Sequence, residues 1–570
     1  MGIERTGTEN RGSERTATER TATARTAPAL ALTALAALDG VVAAGAQEPV
    51  ACAPLAFVGG AATLLALRSL TLRWAVVAAY AHGVAYAVAV APWVYVALRE
   101  HYQIGVVGSV LFELGIVGGG VGLYIGTPLL IARWMCGAGQ DERVSALWRV
   151  GLPPALVFVF EWLRSVGPVS MPWGLLGSGA AASALTRQAA DVIGVLGLSL
   201  CSMLFASALA EVAARVRAAP AGARWVELRR GPAWIAVGLV SALMGYGAVR
   251  RADVAATLAR ETARDPHGVH VAAVQASILQ PERWDEARVE QNFALQLALS
   301  RDAVTESGAE IVVWPETAVA DYVDARSSRY RLALQAFVTD HDVDVIVGGP
   351  RFERDEGPVR FYNALFHFGP GSAAVAHYDK IQLLAFAEFN PLFAAPFLPA
   401  TGTSPRIYSA GDRAAPFELG TLVAGPMICF EALYPWIARE QVRRGAELLV
   451  NASNDAWFQR TQAAAQHLAQ ARLRAVEHRR YLIRSTGTGI SAIVDPLGED
   501  VVPPLGLFER GVLSGRVHGR TELTFYGAVG DLPLLVSTAA FVAAAGVARV
   551  RRRHRPRGAC AGSGDEISSS

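Results

Sequence analysis

The chain has 570 residues, 52% of them hydrophobic and 18% charged, with a mean hydropathy of +0.29. Soluble domains carry about 25% charged residues, so this composition argues against a purely soluble protein, and a polar disordered chain could not be so apolar. A net charge of +2 leaves no footprint for nucleic acid as a partner.

In chain order, residues 1–27 repeat Arg, Thr, Glu and Ala with almost no large apolar side chain, which reads as a disordered tail. Apolar runs near the ~20 residues that cross a bilayer follow. They fall at 28–46, 50–67, 74–98, 104–132, 149–167, 189–214 and 232–249, with an eighth at 530–548. Seven transmembrane helices are therefore expected over 28–249 and one more before a basic tail at 549–570. With the N-terminus inside, the cytoplasmic loops hold Arg68, Arg73, Arg133, Arg143, Arg149, Arg215, Arg217, Arg224, Arg229 and Arg230, and the tail adds Arg549 to Arg557. The opposite loops hold little beyond Arg99 and Arg187. This positive-inside asymmetry puts 252–529 outside the cytoplasm. Arg250 and Arg251 dissent, but they lead into a long domain, where the rule is weak. Gly118, Gly122 and Gly126 read as close helix packing. Glu161 and Arg164, in EWLRSVGPVSMPWG, read either as a functional pair or as snorkelling groups at a helix end.

Residues 268–517 change character. Short β-rich runs (HVAAVQAS, EIVVWPE, VDVIVGG, YNALFHF, AVAHYDK, TLVAGPMICFE, ELLVNASND, LIRSTGTGISAIVD) alternate with amphipathic stretches such as 463–482. That is the pattern of a layered α/β domain, in which ligands bind beyond the carboxyl ends of strands. Glu316, Lys380 and Cys429 stand at such ends. Of 52 basic residues, 51 are arginine and only Lys380 is lysine, so charge alone does not explain it. Cys429 is the one cysteine in this domain. The five cysteines lie far apart, without CxxC or HExxH, so neither a disulfide framework nor a metal site is expected. Singly, each of the three residues has a bland reading as loop acid, stray cation or packed thiol. Together they form a nucleophile (Cys429), a base for its proton (Glu316) and a cation for the thiolate and developing oxyanion (Lys380). No cofactor is called for.

VVWPET around Glu316, YDKIQLLAFAEFNP around Lys380 and ICFEALYP around Cys429 resemble the nitrilase, or carbon–nitrogen hydrolase, superfamily, whose members use a Glu–Lys–Cys triad. Eight membrane spans around such a domain resemble the apolipoprotein N-acyltransferases. EWLRSVGPVSMPWG, NASNDAWF and 466–495 resemble further stretches of that family, and the resemblance covers about 28–550. It implies a multi-pass α-helical membrane domain joined to a nitrilase-like four-layer αββα sandwich, in the bacterial inner membrane with the catalytic domain on the periplasmic side. It also implies an acyl transfer in two halves. Cys429 would take an acyl chain from a membrane phospholipid as a thioester, and the α-amino group of a lipoprotein's diacylglyceryl-cysteine would then displace it. The resemblance further implies a second glutamate beside the lysine, matched by Glu388. A third, Glu431, would shape the site, and Trp284 and Trp457 would lie near the lipid entrance. Phe430 stands where Tyr is common, and Ala385, Ala387 and Phe389 where Pro, Gly and Tyr are expected. The rival readings are a membrane-tethered amidase or nitrilase with water as acceptor, and a transporter or receptor with an extracytoplasmic binding domain.

Overall fold

The computed structural model describes residues 9–137, 145–229, 231–325, 327–354, 357–372, 375–389 and 408–554. Among them, seven helices are long and apolar enough to cross a membrane: Thr26–Ala44, Leu72–Val90, Val106–Cys136, Ala146–Arg164, Thr186–Ala218, Ala221–Arg264 and Leu532–Arg551. The span expected at 50–67 is instead two short helices, Ala53–Val58 and Ala61–Ser69. They break at Gly59–Gly60, where Gly60 takes φ +92° and a Cβ on Gly59 would strike Ala43. The broken pair still runs from one side of the bundle to the other. Just before it, the Glu48 carbonyl accepts from Gln466 of the α/β domain, and at its end Arg68 pairs with Glu211 at the far face of the bundle.

Arg149 and Arg215 join Arg68 on Glu211. Arg133 donates to the carbonyls of Leu67 and Leu70 nearby. Arginines from four helix ends thus gather at the side opposite the α/β domain. Arg143, Arg230, Arg555 and Arg557 lie outside the described residues. The dissenting Arg250 is held by Asp191 at 2.8 Å, and Arg251 by Glu499.

Two further boundaries differ from the sequence reading. Residues 1–8 of the expected tail lie outside the described residues, but from Glu9 the chain is one helix to Ala44. Ala, Arg and Glu are strong helix formers, so a polar segment extends an adjoining apolar helix. For the same reason the span expected at 232–249 continues as a single helix, Pro232–Arg264, into the α/β domain. Small residues bring the spans together as expected: a Cβ on Gly122 would meet Val84, and one on Gly126 would meet the Ala79 carbonyl at 2.9 Å. Glu161 and Arg164 do not snorkel. Both are buried, with Glu161 accepting from the Leu176 N–H and Arg164 donating to the carbonyls of Trp173 and Gly174, so they fold the loop that follows their helix.

Among the described residues the α/β domain contains eleven strands. β1 (Val269–Gln275), β2 (Ile311–Val313), β3 (Asp344–Glu353), β4 (Arg360–Phe368), β5 (Ala376–Asp379) and β11 (Gly511–Val517) form one sheet, ordered β11-β1-β2-β3-β4-β5. β6 (Phe417–Glu418), β7 (Val423–Ile428), β8 (Leu448–Ser453), β9 (Tyr481–Thr486) and β10 (Ala492–Val494) form the other, ordered β10-β9-β8-β7-β6. β1–β2–β3 and β7–β8–β9 are parallel and the edges antiparallel.

Side chains alternate along each strand, so each sheet has two faces. Val271, Ala273, Ile311, Val313 and Ile346 pack toward the second sheet, with Ala424, Ile428 and Val450. Ala272, Val274, Val312, Val345 and Val347 face Phe293, Leu334 and Phe337 of helices Val289–Ser307 and Arg329–His341. Helices Pro435–Arg443 and Ala463–His478 cover the second sheet. The result is a four-layer αββα sandwich. Helix Ala463–His478 stops four residues short of the expected 482, because Arg479 takes φ +50° and the chain enters β9.

Candidate active site

β2, β5 and β7 end on the same rim and deliver the three sequence-selected residues to it. Glu316 lies three residues past β2. Its loop lies flat on β3 because position 348 is glycine: a Cβ there would overlap the Pro315 carbonyl and the Thr317 nitrogen. Lys380 follows β5 directly, its N–H bonded to the Asn363 carbonyl of β4 at 2.9 Å. Cys429 follows β7 and starts a tight turn, Cys429–Leu433, at φ +51°. That left-handed conformation is rare for a residue with a side chain and marks a constrained position.

The structure brings four of the seven selected residues into one charged cluster. Lys380 Nζ donates to Glu388 Oε1 at 2.9 Å and lies 3.6 Å from Glu316 Oε1. Asn363 Nδ2 bridges the two carboxylates, 2.7 Å from Glu316 Oε1 and 2.9 Å from Glu388 Oε1. Asn454 N–H fixes Glu316 Oε2 at 2.8 Å, and the buried Arg283 donates to the Glu316 carbonyl. Burial works against the Lys380 ammonium, but Glu388 and Glu316 outweigh it and hold its pKa above the usual range. Burial pushes the Cys429 thiol up and Glu316 adds to this, while Lys380 pulls the other way. The resting sulfur is therefore a thiol that needs a base, with an ammonium ready for the thiolate.

Glu431 serves differently. It is fully buried, does not line the cavity described below, and ties the Lys380 and Cys429 loops together. Oε1 accepts from the N–H groups of Ile381 and Gln382 at 2.7 and 3.1 Å, Oε2 from Ile428 N–H at 2.6 Å, and Tyr378 OH donates to both oxygens.

Glu316, Lys380, Glu388 and Cys429 line the polar end of a cavity of about 570 Å³. The helical bundle supplies an apolar stretch of its wall. Val94, Ala97 and Leu98 of helix Trp93–Glu100 contribute, with Ile116 and Val117 of the π-helical segment Glu113–Val121 and Met171 and Trp173 of the loop after helix Ala146–Arg164. Both expected tryptophans line it too. Trp284 is half exposed, and Trp457 packs edge-on against His101 at 4.0 Å. Phe430 stacks over Trp173 at 6.5 Å, with no hydroxyl to place. Leu384 to Glu388 form a turn at the cavity, with Phe386 at φ +68°, and residues 390–407 lie outside the described residues.

Sequence reasoning did not single out Asn363, Asn454 or Arg283. Asn363 carried a signal: it is a polar residue at an inward position of the otherwise apolar YNALFHF.

Comparison with known proteins agrees with both halves. Residues 270–524 match the family model described as carbon–nitrogen hydrolase, and residues 39–208 match that of the apolipoprotein N-acyltransferase N-terminal domain. The apolipoprotein N-acyltransferase of Geobacter metallireducens is 29% identical over 91% of this chain and 96% of its own length. That of Caulobacter vibrioides is 31% identical over 76% of this chain and 78% of its own. Among solved structures, Saccharomyces cerevisiae Nit3 of the nitrilase superfamily aligns with 46% of the chain at 19% identity and a TM-score of 0.36. The chain belongs to the apolipoprotein N-acyltransferase family.

Proposed function

We propose that the protein moves an acyl chain from a membrane phospholipid, through a thioester on Cys429, to the α-amino group of the diacylglyceryl-cysteine that begins an apolipoprotein. The observation that carries this reading is a cavity with a thiol, an ammonium and two carboxylates at one end and membrane-helix side chains in its wall. A soluble amide substrate needs no such apolar approach, whereas an acyl chain does.

In the first half, Glu316 takes the Cys429 proton and the thiolate adds to the ester carbonyl. Lys380 faces the developing oxyanion, with Glu388 and Asn363 fixing its ammonium. Collapse expels the lysophospholipid alkoxide, which recovers the proton from Glu316. In the second half, the lipoprotein amine adds to the thioester, Glu316 takes the nitrogen's proton, and the Cys429 thiolate leaves as the amide forms and recovers that proton from Glu316. Residues 252–529 carry this chemistry on the periplasmic side of the inner membrane, and residues 28–249 with 530–548 supply the spans. The arginines gathered around Glu211, opposite the catalytic domain, support that orientation.

The test uses purified protein in phospholipid vesicles with a diacylglyceryl lipopeptide. Mass spectrometry should find the peptide heavier by one acyl chain at its amine, with lysophospholipid accumulating in step. Free fatty acid with unmodified peptide would instead indicate a hydrolase.

A further inference from the structure

Behind Cys429, away from the cavity, lies a sealed polar cluster that the mechanism above does not use. Asn451, Asp455, His467 and Arg484 are all buried and none lines the cavity. Arg484 Nη2 donates to Asp455 Oδ2 at 2.7 Å, Ser453 Oγ donates to Asp455 Oδ1 at 2.8 Å, and Arg484 also donates to Asn451 Oδ1. This network holds one face of the imidazole, with His467 Nδ1 3.1 Å from both Arg484 Nη2 and Asp455 Oδ1. The other nitrogen, Nε2, lies 3.1 Å from the Cys429 carbonyl oxygen, which also accepts from Asn451 Nδ2 at 3.2 Å. A carbonyl only accepts, so Nε2 carries the proton.

The peptide that follows Cys429 is therefore pinned by two buried donors at the point where the backbone is left-handed. Because that peptide is planar and trans, fixing the Cys429 carbonyl also fixes the Phe430 N–H in the opposite direction.

We infer that His467 is a positioning residue for the reaction, holding the Cys429–Phe430 peptide so that the thiol faces Lys380 and Glu316. It touches no substrate and acts through the backbone. The inference rests on Cys429 being the nucleophile. The adjacent Gln466 gives the clamp its register: it accepts from the Trp173 indole at 2.7 Å and donates to the Glu48 and Val90 carbonyls at 2.9 Å each. The helical turn that holds the nucleophile is thus docked on the bundle that forms the cavity wall.

Two substitutions separate positioning from packing. In His467→Asn the amide occupies the Nδ1 position and keeps the contact to Arg484, but the Cys429 carbonyl loses a donor. In His467→Gln the longer amide reaches the Nε2 position and restores it. Full-length variants in phospholipid vesicles are followed by melting and by the rate and donor concentration dependence of thioester formation on Cys429. His467→Asn should lose roughly 10- to 100-fold in kcat with little change in KM, while His467→Gln should stay within about threefold of the parent.

Equal rates for the parent and His467→Asn would overturn the inference, as would an equal loss in both variants. Should His467→Asn fail to fold, His467→Gln decides alone: near-parental acylation supports the clamp, and a loss beyond about tenfold in folded protein refutes it. Failure of the parent itself to form a thioester would be a different result, refuting the reading of Cys429.

Discussion

On the cavity side of Cys429 stand Lys380, Glu316 and Glu388, and on its other sides stand Glu431 and the Asp455–Arg484 pair. Apart from the partly exposed Glu388 all of them are buried, and both groups combine acids with a cation. They differ in where they lie, because only the first opens onto the cavity. Glu431 accepts from four donors and Asp455 takes Arg484 and Ser453, and neither acid reaches the cavity. Glu316 and Glu388 are each steadied by a few donors yet open onto the cavity beside an ammonium. We place reactivity where the charged cluster opens onto the cavity, and rigidity where it is sealed.

The sharpest way to break that comparison is to remove the sulfur. Cys429→Ser should lose on the order of 10⁴-fold or more in acyl transfer while melting nearly as the parent does. Oxygen and sulfur differ little in volume, but the hydroxyl is far harder to ionise beside Glu316. Full N-acylation of the lipopeptide by this variant would remove Cys429 from the mechanism.

Next is Lys380→Arg, which keeps the charge and changes its shape. The ammonium is 2% exposed, 2.9 Å from Glu388 and 3.6 Å from Glu316, leaving no room for a planar guanidinium without displacing one of them. A loss of about 10²–10³ in the rate of thioester formation is expected, with the fold kept. Near-normal acylation would show that any cation suffices.

The smallest effects sharpen the contrast between carboxylates. Glu388→Gln should slow thioester formation roughly tenfold to a hundredfold with little change in melting, because it chiefly weakens the hold on the ammonium. Glu431→Gln should chiefly lower the melting temperature, because an amide brings two N–H groups among backbone N–H donors, whereas a protonated carboxyl brings one O–H that the Tyr378 oxygen can accept. Burial pushes Glu431 up to about 7 from an ordinary 4.5, so the folded state holds an extra proton between those values. Its contribution to stability is complete below about 4.5 and is lost as the pH rises through about 7. Melting temperatures across that window should fall in the parent and lose that part of the slope in Glu431→Gln.

The meeting of Glu316, Lys380 and Cys429 was legible because each closes a β-rich run, and because a lone lysine and a lone domain cysteine stand out in an arginine-rich chain. The layered fold was legible from strand alternation, which reports burial directly. His467 was not, since within an amphipathic helix a histidine aimed at a distant backbone carbonyl looks like any helical polar residue. Asn454 was quoted only as part of a motif, and its role depends on its backbone N–H, which sequence does not distinguish. The broken pair Ala53–Val58 and Ala61–Ser69 reads as one apolar run because hydropathy does not register a backbone break at Gly59–Gly60. The run-on of helix Pro232–Arg264 was hidden for the opposite reason: hydropathy ends at the bilayer, but helix propensity does not.

The account depends most directly on an acyl-enzyme at Cys429, and intact-protein and peptide mass spectrometry after incubation with phospholipid alone can detect it. The account predicts one acyl chain on the Cys429 peptide, labile to hydroxylamine as a thioester is, and lost when diacylglyceryl lipopeptide is added as the N-acylated peptide appears. Acylated lipopeptide formed by a protein that never carries an acyl chain on Cys429 would contradict it.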